Sequence, residues 1–273
     1  MRNLLFFTML LPAFLFGQNL KTDWEKSFGN DSKIHAVIEA SNGYLLGVGE
    51  TNTKTAGGSD GLLVLVDHST GQLVSELRYG GNKDDVLRAV VQTFDGRFLL
   101  AGSSASSGKG GDDAWLLLVD DKGRKIWETT FGTPGRDECR EMLLLPDGSV
   151  LLAGVQNAQK SGDVWLAKVD GQQLLWEKNV GASEFENLSA LAMAADGGFV
   201  FCGNTGKKAE KGSGDVYLAK TDGNGSLLWK KWFGEGGWEE ALDLITTRDG
   251  GFAIAGLSKS KGAGDLDNRM SVV

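Results

Sequence analysis

A step of the Phe-Gly kind recurs at Phe28, Tyr79, Phe131, Val180 and Phe233, at intervals of 51, 52, 49 and 53 residues. Five near-copies of one unit within 273 residues leave room for little besides a repeat architecture. A unit of that length cannot bury its apolar face alone, so neighbouring copies must supply the core. The chain reads as one continuous repeat domain.

Within a unit, four short apolar segments alternate with turn chemistry. In the second unit they are "VLRAVVQT", "FLLAGSS", "AWLLLVD" and "KIWETTFG"; in the third, "CREMLLL", "VLLAGVQ", "VWLAKVD" and "LLWEKNVG". Asp95-Gly96 separates the first two segments, and such pairs supply the positive φ angles of tight hairpins. Four strands joined by hairpins form an antiparallel meander, which is one propeller blade. The predicted fold is all-β, a β-propeller of four-stranded antiparallel blades.

The ends predict five blades. "KTDWEKSFG" near the N-terminus matches the fourth strand of a unit, whereas the last unit stops at "DNRMSVV", in the place of a third strand. The N-terminal strand is therefore expected to complete the last blade and cover its open edge. The competing expectation is a piece of a longer array, because the aspartate that closes each earlier third strand falls one residue beyond Val273.

Arg2 followed by the apolar run Leu4 to Phe16 reads as a signal peptide over residues 1–17, leaving 18–273 as the propeller repeat domain. The expectation is an exported protein, periplasmic, cell-surface or secreted, with no transmembrane segment in the mature chain. A net charge of −8 disfavours nucleic acid as a partner. Cys139 and Cys202 are too few for a disulfide framework, and Cys202 occupies a column filled by Ala101, Ala153 and Ala255, so both read as structural thiols.

Aromatic residues recur in two columns. Trp24, Trp127, Trp176 and Trp229 precede the Phe-Gly-like step by four residues, and Trp115, Trp165 and Tyr217 follow the third-strand aspartates Asp113, Asp163 and Asp215 by two. Both columns read as wedges between blades. Trp238 falls outside them, in an expected loop, and is the aromatic candidate for exposed recognition. The third-strand aspartates read as turn caps, and "DGNGS" at Asp222 as a hairpin turn.

An acidic column, Asp31, Asp85, Asp137, Glu186 and Glu239, lies 13 residues before the second strand of each unit. In a ring these positions gather at one mouth of the channel, where mutual repulsion calls for hydrogen bonds, protons or a cation such as calcium. Solvated or backbone-capping carboxylates are the plainer alternative. Loops expected on the same face carry lysines, among them Lys109 and Lys208, which with Trp238 form a candidate ligand-binding rim.

The repeat resembles that of exported bacterial β-propeller repeat proteins, in stretches such as "DGGFVFCGNTG…GSGDVYLAKTDGNGSLLWKKWFG" and "DGGFAIAGLSKSKGAGD". The resemblance implies a surface or secreted interaction module and brings no catalytic residues or cofactor. The leading functional expectation is a non-enzymatic, exported module that binds a protein or glycan at the cell envelope. The alternative is a propeller hydrolase or lyase that uses a cation or paired carboxylates at the channel. A structural role in a larger envelope assembly is the third reading. Neither His35 nor His68 repeats, and neither has an evident triad partner.

Overall fold

The structure is a computed structural model. It describes residues 24–27 and 31–272, apart from 54, 56, 158–161, 182–185, 206–213, 235–237 and 260–266. The expected signal peptide and Lys208 lie outside the described residues.

The apolar segments form strands, and every sheet is an antiparallel meander in chain order. Blade 1 holds β1 (Ser32–Glu39), β2 (Tyr44–Thr51), β3 (Asp60–Asp67) and β4 (Leu73–Tyr79). Blade 2 holds β5 (Asp85–Gln92), β6 (Phe98–Ser104), β7 (Asp113–Val119) and β8 (Lys125–Phe131). Blade 3 holds β9 (Glu138–Leu144), β10 (Val150–Gln156), β11 (Asp163–Asp170) and β12 (Gln173–Asn179). Blade 4 holds β13 (Glu186–Met193), β14 (Phe199–Thr205), β15 (Val216–Thr221) and β16 (Leu227–Phe233). Blade 5 holds β17 (Glu239–Thr246), β18 (Phe252–Ser258) and β19 (Asp267–Val272). No helix among the described residues is long and apolar enough to cross a membrane.

Tight turns follow the expected chemistry. Gly96 and Gly225 adopt φ of 86° and 78°, and Asp222 accepts hydrogen bonds from the N–H groups of Asn224 and Ser226.

The cores lie between blades. Leu46, Val48, Leu63 and Leu65 of blade 1 meet Leu87, Phe98, Leu100 and Trp115 of blade 2 in one buried cluster. Similar clusters fill the junctions of blades 2 with 3, 3 with 4 and 4 with 5. A middle strand therefore buries both faces, which is why Phe98–Ser104 is buried throughout and shows no polar alternation. Trp115, Trp165 and Tyr217 fill these junctions as the sequence predicts. Cys139 and Cys202 are free and buried in them, and burial pushes both thiols up to about 12.

Blade 5 differs from the expectation of a completed sheet: among the described residues its sheet has three strands, and residues 24–27 are not in a strand. Trp24 nevertheless sits where the fourth-strand tryptophan of a preceding blade belongs. It packs against Leu62, Val64 and Val66 and against the turn glycine Gly71 of blade 1, as Trp176 packs against Gly225 of blade 4. Its indole N–H donates to the His68 carbonyl at 2.8 Å.

Candidate functional site

The first strands of successive blades pack in series, β1 on β5, β5 on β9, β9 on β13 and β13 on β17, and their edges border the central axis expected of a propeller. Each also carries a bulge at the same point of its pairing. The extra residues are His35, Arg88, Arg140, Ser189 and Leu242. A bulge inserts a residue without a ladder partner and re-aims its side chain. In β5, Leu87 joins the cluster shared with blade 1 and Ala89 the cluster shared with blade 3. Arg88, between them, belongs to neither cluster.

The polar groups along this axis come from all five blades. Glu50 accepts a hydrogen bond from Lys33 Nζ at 3.0 Å and has His35 Nε2 at 3.6 Å. Partial burial and the charge of Arg88 lower the imidazole below its ordinary value, so His35 is largely neutral at neutral pH. Arg140 binds Glu138 Oε2 at 2.9 Å and also donates to Asn187 Oδ1 of blade 4, while Arg136 reaches Glu138 Oε1 at 3.2 Å. Burial pushes the Glu138 carboxyl up, but these arginines outweigh it and hold the group below the usual carboxylate range.

The next residue after the bulge is Ala36 in β1, Ala89 in β5 and Ala190 in β13, but Glu141 in β9 and Asp243 in β17. Burial first, and then the like charge of Asp243, push the Glu141 carboxyl up to about 7. Asp243 is exposed and accepts the N–H of Leu244 at 2.8 Å. Glu141 is thus partly protonated near neutrality, while Asp243, whose charge acts on it, is open to water. Where β9, β13 and β17 run into their hairpins, a cavity of about 510 Å³ is lined by Leu145, Met193, Phe199 and Thr246, and neither Glu141 nor Asp243 reaches it. The Lys168–Asp147 ion pair, at 2.8 Å, also lines it.

The acidic column does not converge on a cation. Asp85, Asp137, Glu186 and Glu239 are buried, and each backbone N–H donates to the residue that precedes a third-strand aspartate in the blade before. The Asp85 carboxylate accepts from Gly81 N–H and the Ser106 hydroxyl, and that of Asp137 from Asn157 N–H and Thr133. Asp31 is exposed and accepts from Asn52 Nδ2. Among the described residues no three His, Cys, Asp or Glu side chains gather to hold a metal. Asp85 and Asp137 accept donors at their blade junctions, the plainer reading of the column, whereas Asp31 and Glu239 accept from Asn52 and Ser258 of their own blades.

The rim expectation is also corrected in part. Trp238 is no loop residue: it is half-buried, forms a parallel bridge with Gly214, and its carbonyl accepts the Lys259 N–H. Lys109 is exposed, as expected, and its backbone N–H caps Asp113 Oδ2 at 2.8 Å.

The third-strand aspartates explain the Phe-Gly step itself. A Cβ on Gly132 would collide with Asp113 Oδ1 and lie 2.8 Å from Asp137 Oδ2, and Gly80 is covered in the same way by Asp60 and Asp85. At Gly80, Gly132 and Gly234 two carboxylates from adjoining blades close over the position, and at Gly181 Asp163 alone does so.

No family model matches the chain, and no curated protein sequence does. Solved structures do. An α-L-arabinofuranosidase of Fusarium graminearum in complex with arabinobiose superposes with a TM-score of 0.56 at 15% identity, covering 85% of this chain and 79% of that one. A protein named as an exo-β-1,3-galactanase from Bifidobacterium bifidum gives 0.51 at 12% identity, covering 87% and 90%. The WD40 domain of Pan2 from Neurospora crassa gives 0.50 at 13% identity, covering 84% and 76%. At such identities the likeness shows the propeller fold. The expectation of a non-enzymatic interaction module is corrected by the propellers that superpose, which include glycoside hydrolases.

Proposed function

We propose that this propeller hydrolyses glycosidic bonds in its channel, with Glu141 as general acid and Asp243 as the partner carboxylate. The observation that carries the reading is the pair itself, two acids on the inner strands β9 and β17, one of which is pushed up to about 7 by burial and by the other. Glycoside hydrolysis asks for that division of labour. The protonated group gives its proton to the leaving oxygen, and the carboxylate activates water or attacks the anomeric carbon. The pair interrupts a column that is alanine in three other blades, so it is a departure from the repeat rather than part of its architecture. The glycoside hydrolases among the structural neighbours add weight from the fold side. An exported enzyme acting on glycans outside the cytoplasm accords with the apolar run of Leu4 to Phe16.

The test is sugar release from a panel of aryl glycosides and oligosaccharides by the purified protein and by its Glu141→Gln and Asp243→Asn variants. Release that falls on the order of a hundredfold or more in both variants, with melting temperatures preserved, supports the assignment. No release from any substrate, or undiminished release by the variants, overturns it.

A further inference from the structure

Asp113 and Asp137 meet across the seam between blades 2 and 3. The Asp137 N–H donates to the Asp112 carbonyl at 2.6 Å, which holds the start of β9 against the start of β7. Both side chains are buried, and both reach the place beside Gly132 that a Cβ would fill: Asp137 Oδ2 lies 2.8 Å from it and Asp113 Oδ1 closer still. Their surroundings are unequal. Asp137 takes the N–H and hydroxyl of Thr133 on Oδ2 and the Asn157 N–H on Oδ1. Asp113 Oδ2 takes the N–H groups of Lys109 and Gly110, at 2.8 and 3.3 Å. Asp113 Oδ1 is closed to solvent and has no donor among the described residues.

An ionised oxygen that neither water nor a donor reaches is costly, and a second carboxylate at close range adds repulsion. One proton answers both. We propose that Asp113 and Asp137 share a proton in mildly acidic solution, carried on Asp113 Oδ1 and donated to Asp137 Oδ2, so that acid fastens the seam between blades 2 and 3 and loss of the proton loosens it. The proton sits on Asp113 because Asp137 already has a donor on each oxygen. The charges of the adjoining segments do not replace it. Arg136 is engaged with Asp112 and Glu138, Arg140 with Glu138, and Lys109 is exposed. Burial first, and then the charge of Asp137, outweigh the Lys109 and Gly110 N–H groups and the Lys109 charge, and raise the Asp113 carboxyl above its ordinary value. A carboxyl raised in the folded state contributes stability that is complete below its unfolded value and is lost as the pH rises through the folded one.

The experiment compares urea unfolding of the Glu141→Gln protein, in which that acid no longer titrates, with and without Asp113→Asn, from about pH 5 to about pH 8. The Asp113→Asn amide keeps a donor facing Asp137 at every pH. Its midpoint is therefore expected to match that of its parent at the acid end and to exceed it by a widening margin as the pH rises, because the parent alone loses a proton. Infrared spectra of the two proteins, with isotope-labelled aspartate, are expected to show the band of a protonated carboxyl at about pH 5 in the parent and its absence from Asp113→Asn. A margin that fails to widen with pH overturns the proposal, and so does a parent spectrum without that band. Should Asp113→Asn fail to fold, the band in the parent, and its disappearance as the pH is raised, decide the question.

Discussion

Lys230 reaches across the face of Tyr217, 4.7 Å from the ring centroid, to the fully buried carboxylate of Glu186. The corresponding outer-strand positions of blades 2 and 3 hold Glu128 and Glu177, which accept the indole N–H groups of Trp115 and Trp165 at 3.1 and 3.0 Å. Blade 4 has inverted the charge, exchanged tryptophan for tyrosine, and sent the cation inward to the acid that opens its innermost strand. Removing the cation alone leaves a buried carboxylate stranded. Lys230→Met is therefore expected to destabilise the protein by about 3–5 kcal/mol, and Lys230→Met with Glu186→Gln by clearly less. Urea unfolding of both variants decides it, and equal losses count against the pairing.

Glu141 makes stability depend on pH in an unusual sense for a carboxylate. Its folded-state value of about 7 lies above the ordinary 4.5, so the folded protein binds its proton more tightly than the unfolded chain does. The associated stability is complete below about pH 4.5 and is lost as the pH rises toward 7, by roughly 3 kcal/mol. Urea midpoints between pH 5 and pH 8 should fall in the wild type and stay flatter in Glu141→Gln. Asp243→Asn removes the like charge and should move the fall to lower pH. A wild-type profile with no such slope would show that Glu141 is ionised throughout.

Gly132 and Gly148 offer a matched contrast. A Cβ at Gly132 meets two carboxylates, whereas Gly148, in a hairpin at φ of 85°, has nothing within 4 Å of the same position. Gly132→Ala is expected to cost about 2–3 kcal/mol through overpacking, and Gly148→Ala about 1 kcal/mol through backbone strain alone. Thermal melts of the two variants test the ordering, and equal losses would mean that the carboxylates give way.

The repeat made most of the fold legible, because a period in sequence is a period in packing. Trp115, Trp165 and Tyr217 could be placed as wedges from spacing alone, and Asp222 as a turn. Recurrence said less about the candidate site. Asp85 and Asp137 recur because every junction needs an anchor, so recurrence marked them as scaffold. Glu141 and Asp243 were visible as acids in a column of alanines, but nothing in sequence said that the column borders the axis. That follows from the bulge one residue earlier, and a bulge is a property of pairing that single strands do not declare. Trp238 misled for a related reason, since the bridge to Gly214 joins segments whose proximity depends on how blade 5 seats against blade 4.

The five bulges have a consequence for how such a molecule can change. None of His35, Arg88, Arg140, Ser189 and Leu242 belongs to a buried inter-blade cluster. Mutational drift at these places spares the buried clusters between blades, so side chains can change there with little penalty to solubility or yield. Duplicated blades that begin identical can in this way diverge first at their inner edges. A new side chain at His35, Arg88, Ser189 or Leu242 asks for no redesign of a core, whereas one at Arg140 releases Glu138 and the bond to Asn187 of the next blade.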